Sequence, residues 1–306
     1  MEKCHYCDNL AEATSWSPEI PLCLNHFNRY MEKKVESTLK NVIYNYHVTL
    51  EGRRLLVALS GGKDSMALLH LLHSLSLKYH YTLMPLIIDL GLPHLHDGIT
   101  ICKKNCRNLG LELQIYDLKS EEGFTIPELI EIDGHTPCSI CGLIKRYILN
   151  KIAVEHNSII VMGHTLNDYT YRILRALSLG DMDTLRRLSY ILSQGKRMAM
   201  RFSPLHDTYE IDICTFLRIN GIEYSHAICP YNDFRIYNPY RRIMDSLEEI
   251  DHGVLRRLKR TFFRRLKPTA PKVNLRECKI CGYPTTSEIC LFCRIKNLWM
   301  KRKAKA

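Results

Sequence analysis

The chain has 306 residues, 46% of them hydrophobic, which is enough to bury a full core and to build one large domain with smaller modules. Lysine and arginine total 43 against 32 aspartate and glutamate, and the resulting +11 favours a polyanionic partner such as nucleic acid, although a merely solvated basic surface would carry the same charge. No apolar stretch approaches the ~18 residues that span a bilayer, and Met1-Glu2-Lys3-Cys4-His5 lacks a signal-peptide core, so a cytoplasmic protein without membrane attachment is expected.

Thirteen cysteines in a reducing compartment argue against a disulfide framework, and eight of them fall in four C-x-x-C pairs that point to metal. The first pair opens the chain. Residues 1–30 form a short module in which Cys4-x2-Cys7 and Cys23-x2-His26 offer three sulfurs and one imidazole at zinc-knuckle spacing. Residues 31–50 follow as a connecting segment, with a helix over 31–46 that places Val35, Leu39, Val42, Ile43 and Tyr46 on one side.

Residues 51–252 carry the principal domain. The run Leu55-Leu56-Val57-Ala58-Leu59 reads as a strand and breaks into Ser60-Gly61-Gly62-Lys63-Asp64-Ser65 just before a helical pattern. Two adjacent glycines let successive backbone N–H groups point into one concavity, the following helix adds the positive end of its dipole, Lys63 and Ser65 add donors, and Asp64 can hold magnesium. The spacing is not that of the G-x-x-x-x-G-K-[ST] loop. Further strand-like runs at 83–89, 111–117 and 158–163 alternate with helix-like runs near 65–79, 97–109, 142–156 and 168–178, which predicts a parallel sheet covered on both faces. In such a sheet, ligands bind beyond the carboxyl ends of the strands, where the loop at 60–65 falls.

Cys138-x2-Cys141 lies inside this domain with no second pair nearby, and Cys229, set in the turn-like Ala227-Ile228-Cys229-Pro230-Tyr231, is the candidate partner. Three thiolates can hold an iron–sulfur cluster and leave one iron without a protein ligand; a persulfide on Cys141 or Cys229 is the rival, needing only two thiols. Cys102, Cys106 and Cys214 fall within helix-like runs and read as buried thiols.

Residues 253–271 form a basic helical segment. Leu255, Leu258, Phe262 and Leu266 recur at helical spacing while Arg256, Arg257, Lys259, Arg260, Arg264, Arg265 and Lys267 crowd the other positions, a pattern suited to an RNA backbone. The last module, 272–306, holds Cys278-x2-Cys281-x8-Cys290-x2-Cys293, four thiolates in two knuckles, and a tail with Lys301, Arg302, Lys303 and Lys305.

Taken together, the loop Ser60-Gly61-Gly62-Lys63-Asp64-Ser65, the stretch Cys138-x2-Cys141-Gly142-Leu143-Ile144-Lys145-Arg146-Tyr147, Gly163-His164, Cys229-Pro230 and Cys278-Lys279-Ile280-Cys281-Gly282-Tyr283-Pro284-Thr285-Thr286 resemble the tRNA 2-thiolation enzymes of the PP-loop ATP pyrophosphatase superfamily. The last stretch is close to the branch that thiolates the T-loop ribothymidine, position 54; wobble-uridine thiolases, acting at position 34, share most of the rest. The resemblance implies an α/β fold of the PP-loop, adenine nucleotide alpha hydrolase-like kind, flanked by two zinc modules. It also implies ATP and Mg2+, a 4Fe-4S cluster on Cys138, Cys141 and Cys229, and two Zn2+. Carried over by position, Ala58, Leu59, Ser60, Ile88 and Gly163 contact ATP, while Lys145 and Asp168 stand near the α-phosphate. Asp64, Lys145 and Asp168 are then the catalytic candidates. The implied partners are tRNA, a sulfur donor that is a ubiquitin-like thiocarboxylate protein or sulfide, and a second copy of the chain.

Two departures stand out. The paired acids of the family are Asn167-Asp168 here, which leaves only Asp168 as the acid, and Gly91-Leu92-Pro93-His94-Leu95-His96 is atypical. Readings of a different class are a non-catalytic zinc-module RNA-binding protein and another PP-loop ligase. The intact loop speaks against the first, and Cys138, Cys141 and Cys229 speak against the second.

Overall fold

The computed structural model describes residues 2–133, 136–231, 239–269 and 274–304. Lys305 of the basic tail lies outside them. The chain opens with a hairpin of β1 (Ala13–Ser15) and β2 (Ile20–Leu22), followed by the long helix α1 (Leu24–Asn45). Next come β3 (Arg54–Leu59), α2 (Lys63–Tyr79), β4 (Thr82–Asp89), α3 (His94–Asn108), β5 (Gln114–Asp117), the short α4 (Leu118–Glu122), α5 (Ile126–Asp133), α6 (Pro137–Glu155), β6 (Ser158–Val161) and α7 (Leu166–Ser178). The remainder is α8 (Met182–Arg187), β7 (Ile191–Leu192), β8 (Arg201–Phe202), α9 (Glu210–Ile219), α10 (Pro239–Ile250), α11 (Val254–Thr261) with a π turn (Phe262–Leu266), the hairpin β9 (Arg276–Glu277) and β10 (Pro284–Thr285), and α12 (Leu291–Lys303).

The principal sheet has six strands in the order β5-β4-β3-β6-β8-β7. Its first five are parallel, as the alternation of strands and helices predicts, but β7 pairs antiparallel with β8 and makes the sheet mixed at one edge. Strand β3 sits in the middle, where both faces must be apolar, and the run Leu55 to Leu59 supplies this. Leu55, Val57 and Leu59 join one core with α1, α2 and α9, whereas Leu56 joins the other core with α5 and α6. Because β4 follows β3 on one side and β6 lies on the other, the chain reverses its winding between β3 and β6, and a crevice opens at their carboxyl ends.

The two cysteine modules lie on opposite sides of this sheet. Cys4, Leu22 and Cys23 belong to the α1–α2 core, while Cys278, Cys290, Phe292, Cys293 and Ile295 belong to the α5–α6 core. Tyr147 of α6 stacks on Phe292 with ring centroids 3.7 Å apart, and Lys296 reaches Glu122 at 2.6 Å, so the C-terminal module is docked onto the domain.

Helix α1 starts at Leu24, two turns before the expected start at residue 31. Cys23 supplies an extended N-cap, and Phe27 and Met31 continue the buried stripe backwards at helical spacing. The first module therefore runs into the helix. The basic segment also departs from expectation. Arg256 and Lys259 are buried (8% and 3% exposed), whereas Leu266 is 64% exposed, so the charged positions do not all lie on one solvated face. The reason is Asp207: Lys259 Nζ donates to its Oδ1 at 2.7 Å, and Arg256 Nε stands 3.7 Å from its Oδ2. Arg257, Arg260, Arg264, Arg265 and Lys267 remain exposed.

Candidate active site and metal centres

The crevice between β3 and β6 is lined by the glycine loop. Gly61 takes φ +79°, and a Cβ there would stand 2.3 Å from Cα of Gly98 on α3; a Cβ on Gly98 would stand 2.6 Å from the Ser60 carbonyl oxygen. Only a pair of glycines lets α3 come this close to the loop. Ser65 Oγ donates to the Gly62 carbonyl at 2.9 Å and lies 3.3 Å from the backbone N–H of Ser60, which fixes the loop before any ligand arrives. Gly62 N-caps α2 without a side-chain cap, so the first-turn N–H groups stay open to an anion. On the other wall, a Cβ on Gly163 would sit 3.1 Å from the Asp64 carbonyl oxygen, so that strand end also packs directly on the loop. Ala58 and Leu59 end β3 beside it, and Ile88 stands near the end of β4.

Charge in the crevice is organised around Lys63. Its Nζ lies 3.0 Å from Asp64 Oδ2 and 3.1 Å from Glu210 Oε2, and Arg241 also holds the Glu210 carboxylate. Burial lifts the Asp64 carboxyl to about 6, opposed by Lys63 and reinforced by the Glu210 and Asp168 charges. Asp64 Oδ1 is buried with no hydrogen-bond partner. An orphaned carboxylate oxygen beside a phosphate loop fits a divalent cation, which would supply the missing contact. Asp168 caps α7: its Oδ2 accepts from the Thr165 N–H at 2.9 Å, and Thr165 Oγ1 accepts from the Asp168 N–H in return. Its neighbour Asn167 accepts from the Glu210 N–H at 3.2 Å through Oδ1.

Cys138 and Cys141 occupy the first turn of α6, with Pro137 opening the helix. The loop of Cys229 comes back to them, since the Cys138 thiol lies 3.9 Å from the Tyr231 carbonyl. Burial raises the Cys141 thiol; the Lys145 ammonium, one turn further along α6, acts against this, while the neighbouring Cys229 and Cys138 thiols add to it. The three cysteines thus share one neighbourhood with Lys145. Among the described residues, only the two terminal modules bring three or more ligand atoms all within 4.8 Å of one another; Cys138, Cys141 and Cys229 stand further apart. A cubane cluster binds each cysteine through a different iron and so takes thiolates spaced more widely than those around a single ion, which fits the looser trio.

The terminal modules have single-ion geometry. Around His26 Nδ1, the sulfurs of Cys23, Cys4 and Cys7 stand at 3.3, 3.4 and 3.5 Å, and Cys7 and Cys23 are 3.8 Å apart. Cys281 and Cys290 are 3.7 Å apart. A tetrahedral zinc with bonds of about 2.3 Å to sulfur demands edges of about 3.8 Å. In the second module burial opposes ionisation of Cys278, but N–H donors from Cys290, Cys281 and Ile280 prevail and lower it to about 6, a thiolate at neutral pH. Cys102 and Cys106 are buried thiols pushed up to about 12 and 11, chiefly by burial, and among the described residues neither belongs to a group of three or more ligand side chains.

Three residues of this site escape sequence reasoning. Glu210 is the carboxylate that braces Lys63. Asp207 is the half-buried partner of the basic helix. His94, in the atypical stretch, places its Nδ1 in the interior without a hydrogen-bond partner, and burial together with the Lys145 charge lowers its pKa. The atypical spelling of residues 91–96 is the one signal that points to His94.

A glycine phosphate loop at the switch point of a doubly wound sheet defines a PP-loop nucleotide-binding protein, and the family model for the PP-loop domain matches residues 31–229. Along nearly its whole length the chain is similar to two proteins named tRNA-5-methyluridine(54) 2-sulfurtransferase. The one from Thermus thermophilus is 32% identical over 99% of this chain and 93% of its own, and that from Thermotoga maritima is 33% identical over 99% of both. Among solved structures, the U34-tRNA thiolase of Methanococcus maripaludis with its 4Fe-4S cluster superposes with a TM-score of 0.82 at 25% identity, covering 97% of this chain and 96% of that one. The chain belongs to the tRNA 2-thiolation enzymes of the PP-loop family. No described helix is long and apolar enough to cross a membrane.

Proposed function

We propose that the chain is an ATP-dependent tRNA-uridine 2-sulfurtransferase that acts at the T-loop 5-methyluridine 54. The observation that carries the reading is that one domain holds both parts such a reaction needs: a glycine phosphate loop whose Asp64 Oδ1 is buried without a partner, and a Cys138, Cys141, Cys229 trio whose Cys141 thiol feels the Lys145 charge.

A uridine C2 carbonyl oxygen is a poor leaving group. In the first half-reaction O2 attacks the α-phosphorus of ATP, the bond from that phosphorus to the bridging oxygen breaks, pyrophosphate leaves and N3 gives up its proton. In the second, sulfide attacks C2 and AMP departs with the oxygen. The backbone N–H groups at the start of α2, with Ser60 and Ser65, cradle the phosphates. Lys63 and Lys145 offset charge that builds on the α-phosphate and on pyrophosphate. Asp64 would hold Mg2+ through its unpartnered Oδ1. Asp168 stiffens the α7 N-terminus that faces the nucleotide, through its reciprocal bond with Thr165. Ala58, Leu59, Ile88 and Gly163 supply the walls for adenosine. Cys138, Cys141 and Cys229 would hold a 4Fe-4S cluster, which when bound presents one iron free of protein ligands to carry sulfur. Zinc on Cys4, Cys7, Cys23 and His26, and on Cys278, Cys281, Cys290 and Cys293, is structural, because four protein ligands leave no open position. The sulfur comes from a ubiquitin-like thiocarboxylate protein or from sulfide, the working unit is a homodimer, and the cytoplasm, where tRNA is modified, is the place of action.

Mass spectrometry of tRNA nucleosides from a deletion strain tests the reading. Loss of 2-thio-5-methyluridine, mapped to position 54 in ribonuclease fragments, is expected. Loss at position 34 would move the chain to the wobble branch, which the structural likeness to the U34 thiolase favours, and unchanged thiouridine would overturn both.

A further inference from the structure

A cavity of about 380 Å3 opens between α1 and the strand-edge segment that carries Tyr190 and His206. Lys40, Asn41, Tyr44 and Asn45 form one wall, and no residue of the glycine loop or of the cysteine trio lines it. The opposite wall is a fixed aromatic surface. Tyr190 stacks on His206 with centroids 3.8 Å apart and planes 18° from parallel, and Phe263 of the π turn meets the Tyr190 ring edge-on at 5.2 Å. His206 cannot swing away, because Lys259 Nζ donates to its Nδ1 at 2.7 Å and to its carbonyl at 3.0 Å. Burial and the Lys259 charge lower this imidazole to about 3, so the wall is neutral.

The remaining groups suit a nucleobase. Asn45 Nδ2 donates to Asn41 Oδ1 at 2.8 Å and Asn41 in turn bonds the Tyr190 hydroxyl, which leaves the Asn45 amide oxygen open, and Tyr44 is 70% exposed at the rim. Cations surround the opening. Lys40 stands on α1, Arg260 reaches Asp207 at 3.5 Å beside His206, and the Arg264 charge acts on Tyr190. The volume lies in the range of small-ligand sites and suits one nucleoside. Aromatic stacking accepts any base, and proteins that read RNA commonly take unpaired loop nucleotides out of the stack. A partly amide-lined hollow with a basic rim is a poor fit for the apolar anchor of a protein partner.

We propose that this groove holds one unstacked nucleotide of the bound RNA, with the base against Tyr44 and Tyr190 and the flanking phosphates on Lys40, Arg260 and Arg264. The proposal rests on the reading of the chain as a tRNA enzyme and places a contact outside the reacting crevice.

The test uses the full-length protein, unmodified tRNA, and tRNA substituted with 4-thiouridine for photocrosslinking. Tyr44 and Asn45 are exposed, so the double variant Tyr44→Ala, Asn45→Ala is expected to keep the parent melting temperature, to bind tRNA about tenfold more weakly, and to lose crosslinks that peptide mapping of the parent places at Tyr44 or Tyr190. Parent-like affinity together with crosslinks confined to other segments would overturn the groove while leaving the tRNA reading intact. Failure of the parent protein itself to bind tRNA would instead overturn that reading. If the variant binds tRNA normally but fails to thiolate only when a thiocarboxylate protein supplies sulfur, the groove is a protein dock and the nucleotide assignment is wrong.

Discussion

Lys63 in the first turn of α2 meets Glu210, the first residue of α9, at 3.1 Å, and so joins the phosphate loop to a helix 147 positions further along the chain. The ammonium is thereby aimed into the crevice before ATP binds. Glu210→Gln is expected to lower the rate of pyrophosphate release about tenfold and to raise the KM for ATP, because Lys63 is left paired with Asp64 alone. The fold should persist, since Asn167 contacts the Glu210 backbone N–H, not its side chain. For the same reason Asn167→Asp, which keeps the acceptor oxygen, should remain active, whereas Lys145→Ala should lose adenylation. Steady-state pyrophosphate assays on the three variants decide this, and a parent-like Glu210→Gln would remove the bracing role.

Asp64 gives the site a pH signature. Its carboxyl, facing Lys63, Glu210 and Asp168, is raised in the folded chain from 3.8 to about 6. A raised acid contributes stability that is complete below the unfolded value and is lost as pH rises through the folded one. The protein alone therefore loses this increment between about pH 4 and 6, while Mg2+, which needs the ionised form, offsets more of the loss as pH climbs. Differential scanning fluorimetry should accordingly find that Mg2+ with ATP raises the melting temperature more at pH 7 than at pH 5. Asp64→Asn should flatten that difference and abolish ATP cleavage without lowering the melting temperature of the protein alone. An undiminished pH dependence in the variant would assign it to another group.

What the sequence reveals of this molecule is what lies contiguous in it. The phosphate loop is six consecutive residues, and each zinc pair is a fixed short spacing, so both can be read before folding. The reach of Cys229 toward Cys138 is legible only through chemistry, because three thiols have a known use together. Glu210 and Asp207 give no local signal; their roles arise when β8 and α9 bring them beside Lys63 and Lys259. The same contacts explain why the charge pattern of residues 255–267 misleads. Helical periodicity separates apolar from charged positions, but it cannot tell a solvated lysine from Lys259, which is buried against Asp207 and His206.

The terminal modules should each hold one zinc, giving about two per chain by elemental analysis of protein purified in air. Cys278→Ser is expected to lower the melting temperature by at least about 5 °C, because losing the ion also loosens the Phe292 and Ile295 contacts that the module shares with α6. Less than one zinc per chain would contradict the assignment.

Cys138→Ala, Cys141→Ala and Cys229→Ala should each abolish thiolation and bleach the brown colour of anaerobically purified protein, with ATP binding nearly intact. Spectroscopy and iron content measure the cluster, and isothermal titration measures ATP. Retained thiolation in Cys229→Ala would favour a persulfide on Cys141 over a three-thiolate cluster.

The exposed cations of the segment 254–267 are the proposed backbone contacts for tRNA, and the buried ones mark which substitutions can test this. Changing Arg256 or Lys259 would strand the Asp207 carboxylate and unfold the region, a result that says nothing about RNA. Arg260, Arg264 and Arg265 are exposed, and although Arg260 also reaches Asp207 Oδ2 at 3.5 Å, Lys259 and Arg256 stay on that carboxylate, so the joint reversal to glutamate spares the core. Phosphate contacts release counterions, and each one lost lowers the slope of log affinity against log salt by about 1. The triple variant should therefore bind tRNA at least tenfold more weakly at low salt, with a slope shallower by about 2 to 3, while ATP cleavage in the absence of RNA stays near the parent rate. Filter binding across a salt series provides both numbers. An unchanged slope would move the RNA away from this helix, to the N-terminal zinc module and the outer face of α1.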